Sequence, residues 1–314
     1  SAGYFTLGIS ANHLVSPQTM PAYKGFDAYP EEKLSEGLFD DPWIKKRLKA
    51  FKVADTRANR QAVYFTADRV FNLAQESLQA ENPEFEQPFF LFVNLMDCHD
   101  PYLVHSDYIE DFGFKPNSDF NGDLRNRSIP ASKPTGETFR WTDSLDLDPQ
   151  TVDLLRWNYD RCLGYADQQI GAFRGFLATM GQVENTVFII TADHGEQLGE
   201  HGFFTHSQNP TEQQTHIPLV VSGPQFVQSG HRIAERVSLV DIRPSVFDLI
   251  GIDDPFEHHS GSSLFKLGAR QKASGSMVGN RDREDALLGK SRDKVTDKEL
   301  ALMEARLRDL GYMD

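Results

Sequence analysis

Apolar positions along this chain follow two rhythms, short unbroken runs and recurrences at steps of three and four. Residues 89–95, Phe-Phe-Leu-Phe-Val-Asn-Leu, form a continuous run of the kind expected for a strand covered on both faces. The run ends in the polar turn Met96-Asp97-Cys98-His99-Asp100-Pro101-Tyr102. Upstream, residues 57–80 have helical spacing, with Val63, Val70, Leu73 and Leu78 as inward candidates. A second helix is predicted over 149–180, where Leu154, Leu155, Tyr159, Leu163, Ala166, Ile170, Phe173 and Leu177 recur at helical steps. Gly181 and Asn185 break it just before an apolar strand over 187–191. Another strand, 217–222, stops at Gly223-Pro224, and 240–250 reads as a helix closed by Gly251.

A helix feeding directly into a buried strand is half of a βαβ unit, so the expected fold class is α/β, a mostly parallel sheet flanked by helices. Residues 113–147 are polar and rich in Pro, Asn, Ser and Asp, and predict a long loop or insertion of the kind that covers functional sites. The last fifty or so residues change character. Residues 265–293 are polar with scattered glycine, and Thr296-Asp297-Lys298-Glu299 has the capping-box pattern ahead of Leu300, Met303, Leu307 and Leu310. The expected organisation is therefore an α/β domain over 1–264, followed by an irregular segment and a docking helix over 265–314.

The chain's 314 residues suffice for one large domain with a full core. Its 32 Lys+Arg against 46 Asp+Glu give a net charge of −14, which argues against nucleic acid or an anionic membrane as partner and leaves room for a small anionic substrate in a local pocket. No apolar run is long enough to span a bilayer. Cys98 and Cys162 lack zinc spacing and cannot build a disulfide framework; such low cysteine content favours a cytoplasmic location.

Candidate chemistry concentrates after the strand over 187–191. Asp193 and His194 come directly after it and precede Gly195, which places them at the carboxyl edge where open α/β sheets bind ligands. A carboxylate beside a neutral imidazole suits a divalent cation; the same residues also fit a capped turn followed by a polar loop histidine. His206 returns after Gly199 and Gly202, and His216 precedes the next strand, so His194, His206 and His216 are expected at one end of the sheet. Glu200 and His201 lie on the intervening turn and are expected to shape it, and His216 is read as a hydrogen-bonding structural residue. His99 ends a different predicted strand and would reach the same edge if the strands run parallel; taken alone it also fits a turn histidine beside Pro101. Imidazoles near a bound oxyanion can donate hydrogen bonds to it or protonate a departing oxygen.

With these residues in place the chain resembles the sulfatase family of the alkaline phosphatase superfamily. The resemblance rests on Gly3-Tyr4-Phe5-Thr6 with Asn12, the segment 96–102, Tyr159-Asp160 with Tyr165 and Asp167, the block 193–219, Val240-Asp241-Ile242-Arg243-Pro244-Ser245, and Leu310-Gly311-Tyr312. It implies an alkaline phosphatase-like sheet, Asp193 and His194 as metal ligands, and His99 in contact with sulfate or the leaving oxygen. His206 stands where the family commonly has a lysine that contacts sulfate, so charge at that place would depend on pH. The implied cofactor is a divalent cation, calcium first, with magnesium, manganese or zinc as alternatives. The implied substrate is a small-molecule or glycan sulfate ester.

The family's nucleophile is a formylglycine made from a cysteine, often in C-x-P-S-R, and neither Cys98 nor Cys162 has that context. The opening Gly-Tyr-x-Thr segment resembles the stretch that family members carry just after their nucleophile loop. The expectation is thus a chain lacking its amino-terminal nucleophile segment and inactive alone, within a protein that hydrolyses sulfate esters. Two alternatives are a phosphomonoester or phosphodiester hydrolase or phosphoryl transferase of the same superfamily, and a noncatalytic homologue that binds or supports.

Overall fold

In the computed structural model the described residues are 3–12, 25–30, 45, 66–99, 102, 147, 149–206, 211–224, 230, 232–254 and 261–266. The expected loop over 113–147, the first residues of the helix expected from 57, the irregular segment after 266 and the terminal helix lie outside them, Leu147 excepted. The chain divides into two compact units, Ser1–Arg232 and Ile233–Asp314.

The first unit is built on two parallel strands and the helix between them. Strand β1 is Phe5–Ser10, helix α1 is Ala67–Glu81 and strand β2 is Phe89–Asn94, with Leu7 opposite Leu91 and Ile9 opposite Val93. Helix α1 buries Val70, Phe71, Leu73, Ala74 and Leu78, one stripe at three- and four-residue steps. Its start is tied to the end of β2, because the Asp97 carboxylate accepts the Ala67 backbone N–H at 3.2 Å. Helix α2, Pro149–Thr179, covers the same core with Tyr165, Phe173 and Leu177, and the Phe71 and Phe173 rings stack at 5.0 Å. It ends where Gly181 takes φ 68° and Gln182 N–H returns to the Leu177 carbonyl, a left-handed stop suited to glycine.

Strand β2 is half-buried rather than covered on both faces. Leu91 and Val93 turn to the core, whereas Phe90 is 42% exposed and stacks on Phe26. Strand β1 needs glycine at position 8, since a Cβ there would press into the rings of Tyr29 and Phe26 at 2.8 and 2.9 Å.

Beyond α2, β3 (Phe188–Thr191) pairs antiparallel with β6 (Leu219–Ser222), with Thr191 opposite Leu219. Between them a hairpin pairs the two-residue strands β4 (Gln197–Leu198) and β5 (Phe204–Thr205), and a single-turn helix α3 spans Glu212–Thr215. The observed class is thus α/β with a parallel β1/β2 pair and an antiparallel β3/β6 pair. No helix among the described residues is long and apolar enough to cross a membrane.

In the second unit, helix α4 (Ile242–Ile250) comes after a 3-10 turn capped by Ser238 and Asp241, and closes on Gly251 at φ 67°. Asp241 also accepts the Ser262 N–H, and Ser245 receives the Leu264 N–H, which ties the segment 261–266 to the start of α4.

Candidate active site

The antiparallel pairing of β3 and β6 decides where the chemistry collects. The end of β3 lies beside the start of β6, and Thr191 Oγ1 donates to the Pro218 carbonyl at 2.8 Å. Gly195 N–H then donates to the Gln214 carbonyl at 2.7 Å. A Cβ on residue 195 would overlap the Gln213 carbonyl oxygen, so only glycine lets the chain leave β3 this closely against α3. Buried Gln214 and Gln197 bond side chain to side chain at 2.7 Å, which extends the clasp into β4.

The hairpin brings the second histidine back. Gly199 turns it at φ 103°, and Glu200 serves the turn as expected, its carboxylate accepting the Leu198 N–H at 2.6 Å with Arg156 at 3.8 Å. The His201 side chain lies outside the described atoms. Thr205, buried and β-branched, takes φ 62°, a conformation that costs of order 1–3 kcal/mol and tends to occur where a site is being shaped. The next residue is His206.

Three of the expected histidines meet. The His194 and His206 rings lie 4.2 Å apart, and His99 meets His206 edge-on at 5.0 Å. His99 arrives from the turn after β2, where its N–H donates to the Met96 carbonyl at 3.1 Å. His216 lies at the same edge by strand register, but it is exposed and caps α3 by donating its N–H to the Glu212 carbonyl.

Asp193 and His194 sit side by side with Asp193 Oδ1 3.8 Å from His194 Nε2. A carbonyl can only accept, so the 2.8 Å contact between His194 Nδ1 and the Gly195 carbonyl puts a proton on Nδ1 and leaves Nε2 with its lone pair in the neutral ring. Metal-binding histidines are commonly oriented by this kind of backbone bond. The Asp193 side chain is 79% exposed, and its Oδ1 accepts the His194 backbone N–H at 3.0 Å, as the capped-turn reading also expects. The two donors fit part of a divalent-cation shell. Among the described residues no group of three His, Cys, Asp or Glu converges as a complete one.

Glu196 does not stand out in the sequence, yet its side chain is only 5% exposed and its Oε1 lies 3.1 Å from His206 Nδ1. The signal that could have found it is hairpin register, since Gln197 pairs with Thr205 and so brings Glu196 level with His206. Burial, reinforced by the charges of Asp97 and Glu196, pushes the Cys98 thiol up to about 12, and burial pushes Cys162 well above the ordinary thiol range. Both are therefore neutral thiols near neutral pH and poor nucleophiles. Burial also raises the Tyr159 phenol to about 12 and the Asp97 carboxyl to about 7.

The turn after β3 thus carries an adjacent acid and imidazole, with two further imidazoles beside them. The family model described as Sulfatase matches residues 1–252, and the chain belongs to the sulfatase family. It is 30% identical over 270 residues to the uncharacterized sulfatase YidJ of Escherichia coli K12, covering 81% of this chain and 51% of that protein. The chain thus spans about half the length of that curated relative. Among solved structures, the phosphonate monoester hydrolase SpPMH from Silicibacter pomeroyi superposes with a TM-score of 0.53 at 19% identity, covering 85% of this chain and 59% of the other. BT4656, solved in complex with its substrate D-glucosamine-2-N,6-O-disulfate, gives a TM-score of 0.51 at 17% identity, covering 84% and 61%. These likenesses establish the fold.

Proposed function

We propose that the protein carrying this chain is a metal-dependent sulfatase, hydrolysing sulfate esters of small molecules or glycans. The observation that supports this best is the meeting of His99, His194 and His206, at ring separations of 4.2 and 5.0 Å, in a chain of the sulfatase family. A glycan substrate is favoured by the sulfated glucosamine bound in the fold relative BT4656.

In this reading Asp193 and His194 hold one side of a divalent cation, calcium in first place, with the Gly195 carbonyl fixing the imidazole that faces it. The bound cation would supply charge neutralisation for the sulfate oxygens. His99 and His206 are the catalytic residues of the chain. They donate to the sulfate oxygens and hand a proton to the departing ester oxygen, a contribution worth ~10²–10⁴ in rate. The attacking group is neither Cys98 nor Cys162, whose buried thiols resist ionisation; a formylglycine supplied elsewhere in the full-length protein would take that part, and the 314-residue chain alone would be inactive.

The test is sulfate release by the full-length protein from glucosamine 6-sulfate and 4-nitrophenyl sulfate, set beside phosphate release from 4-nitrophenyl phosphate and cleavage of a phosphonate monoester. Calcium-dependent sulfate release that falls in the His99→Ala and His206→Ala variants supports the proposal. Faster turnover of the phosphorus esters would transfer the site to the phosphohydrolase reading, and no turnover of any ester would leave a binding protein.

A further inference from the structure

We propose that Glu196 is a positioning residue for His206, holding the ring through Nδ1 and so fixing its tautomer and the direction it faces; this deepens the sulfatase reading and rests on it for its catalytic meaning. Glu196 Oε1 and His206 Nδ1 are 3.1 Å apart, and a carboxylate accepts while the ring donates. The Nδ1 proton is therefore on the Glu196 side in the neutral ring and in the cation alike.

The need runs in both directions. Glu196 is 5% exposed, and a carboxylate withdrawn from water requires donors; among the described residues, His206 Nδ1 is a donor that meets it. Had Glu196 served only the hairpin, a neutral side chain would have filled its place without that desolvation cost. The backbone adds a second device, because Thr205 is held at φ 62° and directs the next residue back toward Glu196. Strain at a buried β-branched residue and a buried carboxylate thus converge on one imidazole, whose ring also packs against those of His194 and His99.

The assignment has a chemical consequence for the site. A flexible ammonium can reach an anion from many directions, whereas an imidazole presents one atom along one axis and depends on its neighbours for aim. Removing the aim should thus damage turnover even though the imidazole itself remains.

The test uses the full-length protein with histidine selectively labelled with ¹⁵N, and His206→Gln to assign the ring. At a pH where the ring is neutral, the wild type is expected to show His206 protonated at Nδ1. Glu196→Gln, which keeps an acceptor oxygen, is expected to preserve that tautomer and most of kcat. Glu196→Ala is expected to mix the tautomers and lower kcat on 4-nitrophenyl sulfate ~10–100-fold with KM less affected. A wild-type ring protonated at Nε2, or a tautomer indifferent to Glu196→Ala, overturns the assignment. Should the alanine variant not fold, the wild-type tautomer and the glutamine variant still decide it. Because the tautomer is read without turnover, a protein inactive toward sulfate esters would sink the functional reading and leave this one standing or falling on its own signal.

Discussion

The layer formed by β1, α1, β2 and α2 and the rim formed by the turn after β3 and the β4/β5 hairpin belong to the same unit but are held by different physics. In the layer, Leu7, Ile9, Val70, Leu78 and Leu177 are sealed from solvent, and stability comes from apolar area removed from water. In the rim, the positions are set by Gly195 against a carbonyl, Gly199 at φ 103°, Thr205 at φ 62° and a buried carboxylate paired with an imidazole. The layer tolerates chemical variation that keeps volume. The rim depends on single atoms, and its members contribute to aim more than to stability.

That contrast makes predictions of different kinds. The largest effect should come from His99→Ala in the full-length protein, a ~10²–10⁴-fold fall in kcat/KM on a sulfate ester. Its urea midpoint should shift little, since the ring lies in the rim and seals no core. Leu177→Ala should do the converse. It empties space behind a side chain that is 0% exposed, so equilibrium denaturation should show a loss of about 2–5 kcal/mol while the surviving folded fraction keeps its kcat.

Asp97 stands where layer and rim join, capping α1 and starting the turn to His99. Burial lifts its carboxyl from an ordinary 3.8 to about 7. Between those values the folded protein binds more protons than the unfolded chain, so this group's contribution to stability declines as pH rises from about 4 to about 7 and levels off above. Asp97→Asn should flatten that segment of a stability-against-pH curve, gaining on the wild type at pH 8 and not at pH 4. Thermal midpoints across the range would check it, and an unchanged slope would place the titration elsewhere.

The smallest effect is expected at Arg161 on α2. Its side chain is 1% exposed, its guanidinium lies 4.3 Å over the Trp157 ring, and among the described residues none of its nitrogens has a hydrogen-bond partner. Asn158, one turn back and fully buried, is likewise unbonded through its side chain among those residues. A buried cation whose contact among the described residues is an aromatic face is a poor stabiliser, so Arg161→Met should leave the thermal midpoint unchanged or raise it by a few degrees. A large fall would mean that the guanidinium has a charged partner.

Legibility in the sequence divides along the same line. The bounds of helix α2 are readable almost to the residue, because its apolar steps run from Leu154 to Leu177 and Gly181 supplies the stop, although Leu163 in that series is 51% exposed. Strands β2, β3 and β6 stand out as apolar runs, and Asp193, His194, His206 and His99 as chemistry-bearing residues at strand ends. Strand β1 does not stand out, since Gly8 and Ser10 interrupt its pattern for reasons that lie in Phe26, Tyr29 and Asn94. The antiparallel direction of β6 is equally hidden, because strand polarity is not written in the strand itself. Glu196 is hidden too, because its burial depends on hairpin register, and that register depends on Gly199 and Thr205 together. Local pattern reports what an element buries. It reports much less of where a turn aims its side chains.

Sulfate release measures most directly whether this rim serves the proposed hydrolysis of sulfate esters. Full-length protein loaded with calcium, incubated with glucosamine 6-sulfate, should release inorganic sulfate at a rate that exceeds its phosphate release from the matching phosphate ester and that falls ~10²–10⁴-fold in His206→Ala. Phosphate release outpacing sulfate release, or sulfate release indifferent to His206→Ala, would contradict the account.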